Sequence, residues 1–243
     1  MPSAPLLERI RIVLARPSHT GNIGAAARAM KTMGFADLRL VAPRNPPDAQ
    51  AIALAAGAAD VLGAARESGR IEEALEGAAL VAGFSARTRE LSHPLHALRE
   101  AAHAILEAAS EGPVALVFGN ETSGLSNDEM GRCGLHVSIP ANPAYGSLNL
   151  AAAVQVACYE LATAARAFTP APPSEREAAT SEDVEALVAH WEAAMVDSGY
   201  LDPARPGRLM ERLRRLLARA RLERAEVKAL RGMLAAFEAR MRR

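Results

Sequence analysis

The 243-residue sequence has few cysteines and few aromatic residues. Its two cysteines, Cys133 and Cys158, provide neither a disulfide framework nor the spacing of metal ligands, so we expect two buried free thiols and no metal. Because aromatic residues are only 4% of the chain, the core must be built from Leu, Val, Ile and Ala, which suits helices packed closely on a sheet.

Long apolar runs are also missing. No run reaches the roughly 18 residues that a membrane span needs, and residues 1–11 lack the apolar segment of a signal peptide. The sequence therefore predicts a soluble, cytoplasmic protein without a membrane partner.

The formal net charge is zero, but the charge is unevenly distributed. Residues 205–243 contain 13 Lys and Arg against 4 Asp and Glu, whereas residues 1–204 contain 15 against 24. A basic tail on an acidic body is typical of a segment that contacts nucleic acid. The alternative is a solvated helix face, or one docked on the acidic body.

Strand-like and helix-like segments alternate in the first two thirds of the chain. Strands are predicted at residues 10–14, 38–41, 80–84, 114–118 and 137–139. Helices are predicted at 25–33, 95–109 and 150–168, and a short one after Ser126, which has Glu129 three residues later as in a capping box. This alternation predicts an α/β domain with a largely parallel sheet that is covered on both faces.

A proline-rich stretch then separates this part from a helical tail. Pro170, Pro172 and Pro173 favour a linker, and apolar residues at helical spacing predict helices at 182–196, 208–219 and 223–240. We therefore predict a domain at 1–168, a linker at 169–180 and a small helical RNA-binding extension at 181–243.

Three loop segments of the first domain have compositions that suit a ligand site. Residues 19–30 follow a strand and open a helix. Residues 117–125 form a loop bounded by Gly119 and Gly124 that carries Glu121, and residues 139–151 form an irregular loop that leads into a buried helix. Glycines allow close backbone approach to a ligand, and loops between buried elements often carry function. Each segment taken alone is equally well explained as an ordinary connection.

A nicotinamide-dependent oxidoreductase is disfavoured by the first segment. Gly21 and Gly24 lie three residues apart, which does not satisfy the G-x-G-x-x-G pattern. The second strand ends at Val41 without an acidic residue to bind a ribose.

Together, in this order, the three segments resemble the motifs of the SPOUT superfamily of knotted RNA methyltransferases, and within it the TrmH-type 2'-O-methyltransferases. The matches are Asn-x-Gly-x-x-x-Arg from Asn22 to Arg28, Phe-Gly-x-Glu-x-x-Gly-Leu from Phe118 to Leu125, and the Ile-Pro and Ser-Leu-Asn-Leu-Ala parts of 139–151. Residues 29–34, 50–58 and 213–221 are further similar to the branch that methylates cytidine or uridine at position 32 of the tRNA anticodon loop.

The resemblance implies a parallel-sheet domain with a trefoil knot, which no general folding rule would suggest. It also implies S-adenosylmethionine as the cofactor, tRNA as the partner, and a homodimer in which two protomers build each active site. The cofactor-binding residues that it implies are Phe84, Ser85, Ala86, Gly119, Ile139, Gly146, Ser147 and Leu148.

The catalytic residues implied by the resemblance are Arg28, Asn22, Glu121, Ser147 and Asn149. Arg28 would reach in from the partner protomer. It would act either as a base that loses its proton in a closed site or as a group that holds the phosphate and ribose in place. A guanidinium is a poor base, because it loses its proton only above about pH 12. Asn22 and Asn149 would hold the loops and the ribose, and Ser147 would assist the 2'-hydroxyl or the cofactor. Glu121 would either orient Arg28 through a charge-assisted pair or anchor its own loop.

The resemblance leaves the substrate less well defined than the chemistry. Asn120 stands where the anticodon-loop branch often has Arg, whereas the basic helical tail is typical of that branch. Methylation at another tRNA position or of ribosomal RNA is therefore the alternative within the class, and a non-catalytic RNA-binding assembly factor is the alternative outside it.

Overall fold

A seven-stranded parallel sheet lies at the centre of the structure, a computed structural model that describes residues 4–86, 94–170, 177–205 and 207–241. The strand order is β3-β2-β1-β6-β4-β7-β5, and every neighbouring pair is parallel. The strands are β1 (Ile10–Ala15), β2 (Leu38–Val41), β3 (Arg66–Ser68), β4 (Leu80–Phe84), β5 (His96–Ala97), β6 (Val114–Phe118) and β7 (Leu135–Ser138).

Helices connect the strands and continue beyond the sheet. Those of the first part are α1 (Ala4–Leu7), α2 (Thr20–Thr32), α3 (Ala49–Ala55), α4 (Ala59–Gly63), α5 (Ile71–Leu75), α6 (Leu98–Glu111), α7 (Asn127–Gly131) and α8 (Leu150–Ala167). The tail contains α9 (Ser181–Asp197), α10 (Leu209–Ala220) and α11 (Arg224–Met241).

Both faces of the sheet are covered, as the alternation of elements predicted. Alternate residues of β1 take part in two different apolar clusters, because successive side chains of a strand point to opposite faces. Ile12 and Leu14 pack in the cluster that includes α2, α6 and α8, and Val13 packs in the one that includes α5 and α7. The predicted α/β class is confirmed, and the core is mainly Leu, Val, Ile and Ala.

Helix α2 begins earlier than predicted. Its first turns take in Gly21 and Gly24, which the sequence placed in a loop before a helix at 25–33. A Cβ on Gly24 would lie 1.9 Å from the carbonyl oxygen of Ala51, so α2 and α3 approach at backbone distance here. The glycine pair therefore serves helix packing, which explains why composition alone indicated a loop.

The short elements β3, β5 and α3–α5 were not predicted. β3 has three residues, of which two are exposed, and β5 has two residues. Such segments carry too little hydrophobic periodicity to be recognised in a sequence.

The three tail helices share an apolar cluster separate from the sheet. Its buried residues are Ala179, Leu187, Val188, Leu213, Leu217 and Val227. Before α9, the chain pairs with the start of α11: Ala179 N–H donates to Leu222 O (2.8 Å) and Arg224 N–H donates to Glu177 O (2.9 Å). Residues 171–176 of the predicted linker lie outside the described residues, and the domain boundaries stay a prediction.

The predicted trefoil knot would lie in the half of the sheet that contains β4, β7 and β5. Strand β7 lies between β4 and β5, although both precede it in the chain. The connection from β4 to β5 includes residues 87–93, which lie outside the described residues.

The close approach of α2 and α3 predicts the effect of a single methyl group. Gly24→Ala should lower the free energy of unfolding by about 1–3 kcal/mol, because the backbone of Ala51 must move. Thermal unfolding measures this as a fall in Tm of a few degrees. Gly63→Ala is the matched control, since nothing lies within 4 Å of the added Cβ; equal Tm values for the two variants would contradict the packing account.

Candidate active site

A cleft opens at the carboxyl ends of three neighbouring strands, β6, β4 and β7, where ligands bind in many parallel α/β sheets. The loops that follow these strands form its walls. Its lining includes all eight residues that the family resemblance indicated for the cofactor: Phe84, Ser85, Ala86, Gly119, Ile139, Gly146, Ser147 and Leu148. Lining residues that the sequence analysis did not propose are Phe118, Asn120, Thr122, Ser123, Gly124, Leu125, Leu150 and Ala153.

Two stacked aromatic rings stand at the strand ends that border the cleft. The ring centroids of Phe84 and Phe118 are 4.3 Å apart, with 18° between the ring planes. These two phenylalanines end β4 and β6, which pair in the sheet. The cleft thus has an apolar, aromatic side, which suits a flat heterocycle.

Gly119 lies where the second motif segment folds back on itself. A Cβ at this position would lie 2.1 Å from the carbonyl carbon of Gly124 and 2.1 Å from the nitrogen of Leu125. Gly124 itself has a φ of 67°, in the left-handed region that glycine adopts readily. Both glycines are therefore required by the shape of the loop that borders the cleft.

The carboxylate of Glu121 connects the second motif segment to the first. It accepts hydrogen bonds from the backbone N–H of Ser18 (2.8 Å), the backbone N–H of His19 (3.2 Å) and Nδ2 of Asn22 (2.8 Å). The residues lie about a hundred positions apart in the chain, so this contact is one that only the fold creates.

Asn149 connects the third segment to the same network. Its Nδ2 donates to Oδ1 of Asn22 at 2.9 Å. Its own Oδ1 accepts from the N–H groups of Ala151 and Ala152, which makes Asn149 the N-cap of α8. The hydrogen bonds from Asn22 to Glu121 and from Asn149 to Asn22 thus join all three motif segments through side chains.

These contacts keep Glu121 ionised. Partial burial raises the pKa of the carboxyl, but the hydrogen bonds from Asn22 and from the Ser18 and His19 N–H groups outweigh burial and hold the pKa below its ordinary value. Of the two roles considered for Glu121, loop anchoring is the one whose contacts lie within a single chain.

Arg28 lies apart from the cleft of its own chain. It is exposed on α2, is not among the lining residues, and its side chain makes no hydrogen bond or ion pair with the part of the chain that the structure describes. Six residues along a helix correspond to a rotation of about 240° and a rise of about 9 Å, so Arg28 points away from the direction of Asn22. Ser147 is exposed at the cleft.

Arg16 and Asn120 have structural roles at the site that the sequence did not indicate; Asn120 was noted only as a departure from the family pattern. Asn120 Nδ2 donates to the carbonyl oxygen of Arg16 (2.7 Å) and to Oγ of Ser18, and its Oδ1 accepts from Thr122 N–H (2.9 Å). Arg16 has a φ of 53° and pairs with Glu129. A bulky residue in this conformation is costly, but nothing in the residue letters alone signals it.

Among residues 4–86, 94–170, 177–205 and 207–241, no three His, Cys, Asp or Glu side chains converge as metal ligands. None of the helices described is long and apolar enough to cross a membrane.

Comparison with known proteins gives two matches to protein families. The SpoU rRNA Methylase family matches residues 9–159, and the C-terminal domain of the tRNA methyltransferase TrmJ matches residues 182–243. The first match includes all three motif segments and the cleft, and the second includes the three tail helices.

The chain is similar over nearly its whole length to individual proteins. It is 50% identical over 238 residues to the tRNA (cytidine/uridine-2'-O-)-methyltransferase TrmJ of Cronobacter sakazakii, covering 96% of this chain and 97% of that protein. The crystal structure of TrmJ from Z. mobilis ZM4 has a TM-score of 0.84 and 36% identity, covering 94% of this chain and 98% of that one.

A third similarity is limited to the sheet-containing part. A solved structure that concerns 2-OH methylation of C/U34 on tRNA has a TM-score of 0.53 and 27% identity, and covers 65% of this chain but 97% of that one. About a third of the present chain thus has no counterpart in that protein.

Glu121→Gln tests the connection between the segments. The variant should lower the free energy of unfolding by about 0.5–1 kcal/mol at pH 7, because three donors lose a charged acceptor at a site that solvent still reaches. Because the folded-state pKa of Glu121 is lowered, its contribution is present above the unfolded pKa and is lost as pH falls through the folded value. Chemical denaturation of both proteins from pH 7 to pH 3 measures the difference, which should shrink on acidification.

Glu192→Gln, at an exposed position of α9, is the control and should match the wild type throughout. A Glu121→Gln effect that persists unchanged at pH 3 would show that the ionised carboxylate is not the cause.

Proposed function

The chain belongs to the SpoU rRNA methylase family, and we propose that it transfers a methyl group from S-adenosylmethionine to the 2'-oxygen of a cytidine or uridine at position 32 of the tRNA anticodon loop. The observation that carries the proposal is that Glu121, which lines the cleft, binds Asn22 of the first motif segment, and that Asn22 in turn binds Asn149 of the third segment, whose residues Gly146, Ser147 and Leu148 also line the cleft. The proposed location is the cytoplasm.

The lining of the cleft fits S-adenosylmethionine. Phe84 and Phe118 offer an aromatic surface for an adenine, Gly119 and Gly146 leave backbone groups accessible, and Ser147 adds a hydroxyl. The carboxylate of Glu121 is ionised and already accepts three hydrogen bonds from within its own chain. When bound, the cofactor supplies a methyl group on a sulfonium, which is a good leaving group.

The protein's remaining task is to position the ribose and let its hydroxyl proton leave. We assign Arg28 to holding the phosphate and ribose beside the 2'-hydroxyl, because a guanidinium offers several donors in a fixed plane and remains protonated at neutral pH. Asn22 and Asn149 hold the loops around the ribose site, and Ser147 lies at the cleft where it can contact the hydroxyl or the cofactor.

A homodimer would complete this site. Arg28 lies outside the cleft of its own chain and is directed away from Asn22 by the helical repeat. A second protomer can supply the missing guanidinium, and a two-fold dimer would do so at both sites. Activity of a monomer would contradict this part of the proposal.

The helical tail supports tRNA as the substrate. Its exposed basic residues can contact phosphates, which gives affinity without reading sequence; they are Arg205, Arg208, Arg212, Arg219, Arg221, Arg224, Lys228, Arg231 and Arg240. The similar structure that concerns C/U34 leaves this tail unmatched, whereas the tRNA (cytidine/uridine-2'-O-)-methyltransferase of C. sakazakii matches nearly the whole chain. This contrast weighs against position 34, and the resemblance of residues 213–221 to the branch that acts on position 32 favours that position.

Synthetic tRNAs that lack one 2'-hydroxyl test the position. A tRNA with a 2'-deoxy residue at position 32 should accept less than about a hundredth of the methyl groups that the unmodified tRNA accepts, because the nucleophile is missing. Transfer of radiolabelled methyl from S-adenosylmethionine measures this.

A tRNA with a 2'-deoxy residue at position 34 is the matched control and should accept methyl groups normally. The reverse result would move the site to position 34, and normal transfer to both would place it elsewhere in the RNA. Transfer to ribosomal RNA alone would support the ribosomal alternative, and no cofactor binding would support a non-catalytic factor.

Mixed dimers test the shared site. Arg28→Ala and Gly119→Ala should each be nearly inactive alone, the first for lack of the guanidinium and the second because its Cβ clashes with Gly124 and Leu125. After unfolding and refolding together in equal amounts, about a quarter of the sites should be intact, because half of the dimers are mixed and each has one complete site. Activity that stays at the level of the separate variants would show that Arg28 acts within its own chain.

A further inference from the structure

Arg132, the residue that follows α7, has a largely buried side chain surrounded by carboxylates. Only 10% of the side chain is exposed. Its guanidinium lies 2.9 Å from Glu72, 3.2 Å from Asp128 and 3.0 Å from Glu185. Glu185 belongs to α9 of the helical tail, so the cluster joins the tail to the sheet-containing part.

Helix α10 of the tail also contacts α7 and the turn that follows it. Arg214 of α10 pairs with Glu185 (3.1 Å) and lies 3.6 Å from Asp128. Two residues after Arg132, a Cβ on Gly134 would lie 2.5 Å from the carbonyl oxygen of Ala218 in α10. The short helix α7 and the turn after it are therefore fixed against the tail by both charge and backbone contact.

The other end of α7 is attached to the wall of the cleft. Glu129 completes a capping box with Ser126 and makes a two-point ion pair with Arg16 (2.9 and 2.7 Å). Arg16 also donates to the carbonyl oxygen of Gly124 (3.3 Å), and Gly124 lines the cleft. The cluster around Arg132 and the cleft loop thus lie at opposite ends of one five-residue helix.

We propose that Arg132 is a positioning residue for the methyl-donor cleft: by fixing α7 between the helical tail and the 119–125 loop, it holds that loop in the shape that binds S-adenosylmethionine. This inference rests on the proposed function of the cleft. It gives the tail a second role besides RNA contact. A change in the contacts between the tail and α7 would alter the 119–125 loop and thereby the affinity for the cofactor. By thermodynamic linkage, cofactor binding would change the free energy of tail docking by the same amount.

Arg132→Gln tests the inference, with Arg11→Gln as the matched control. The Arg11 side chain is equally buried, at 9% exposed, but it donates to the carbonyl oxygens of Ala74 and Glu76 and does not contact α7. Both variants lose a buried guanidinium and should have a lower Tm. Calorimetry on the full-length proteins without RNA then measures the Kd for S-adenosylmethionine.

We expect Arg132→Gln to weaken cofactor binding about tenfold, within the usual range of coupling between sites, and Arg11→Gln to leave it unchanged. In tRNA methylation, Arg132→Gln should raise the KM for S-adenosylmethionine and leave kcat close to that of the wild type. A Kd within twofold of the wild type, despite a lower Tm, would overturn the inference and leave Arg132 a purely stabilising residue.

Glu185→Gln provides a milder change at the same cluster, in which Arg132 keeps Glu72 and Asp128. It should weaken cofactor binding in the same direction by about threefold, and an unchanged Kd would overturn the inference even if Arg132→Gln failed to fold. If the wild-type protein itself does not bind S-adenosylmethionine, the proposed function fails and the inference fails with it.

Discussion

The carboxylate of Glu121 is the group on which the arrangement of the three motif segments depends, since it is bound at once by two backbone N–H groups and by Asn22. Asn22 in turn accepts from Asn149, the N-cap of α8. Glu121 and Asn22 are half-buried, so leaving their polar atoms without partners would be costly. The network therefore connects the three motif segments in one geometry, and this is the kind of preorganisation on which positioning catalysis depends.

The parallel sheet determines where this network can form. Because β6, β4 and β7 are neighbours and all parallel, the loops after them meet at one edge, with Phe84 and Phe118 stacked at the strand ends. Gly119 allows the second loop to fold back on itself without a steric clash. The tail adds a second layer of support through Arg132, so the cofactor wall is held both by the sheet and by the helices that carry the excess positive charge.

The sequence predicted the α/β class and the long elements well, because buried strands and long amphipathic helices have strong periodicity. All eight cofactor residues suggested by the family resemblance line one cleft. The start of α2 was predicted wrongly, since Gly21 and Gly24 indicated a loop, whereas they allow α3 to approach. The pairings of Arg16 with Glu129 and of Arg132 with Glu185 were not predictable, because they join residues far apart in the chain and depend on tertiary contact alone.

We propose that the three segments connected by Glu121 form the methyl-donor site and that a partner protomer completes it. A crystal structure of the protein with S-adenosylmethionine tests this most directly. We expect the cofactor in the cleft between Phe84, Gly119 and Leu148, with the network of Glu121, Asn22 and Asn149 unchanged and Arg28 of the partner subunit facing the methyl group. A cofactor bound elsewhere, or a cleft that must rearrange those three side chains to admit it, would contradict the account.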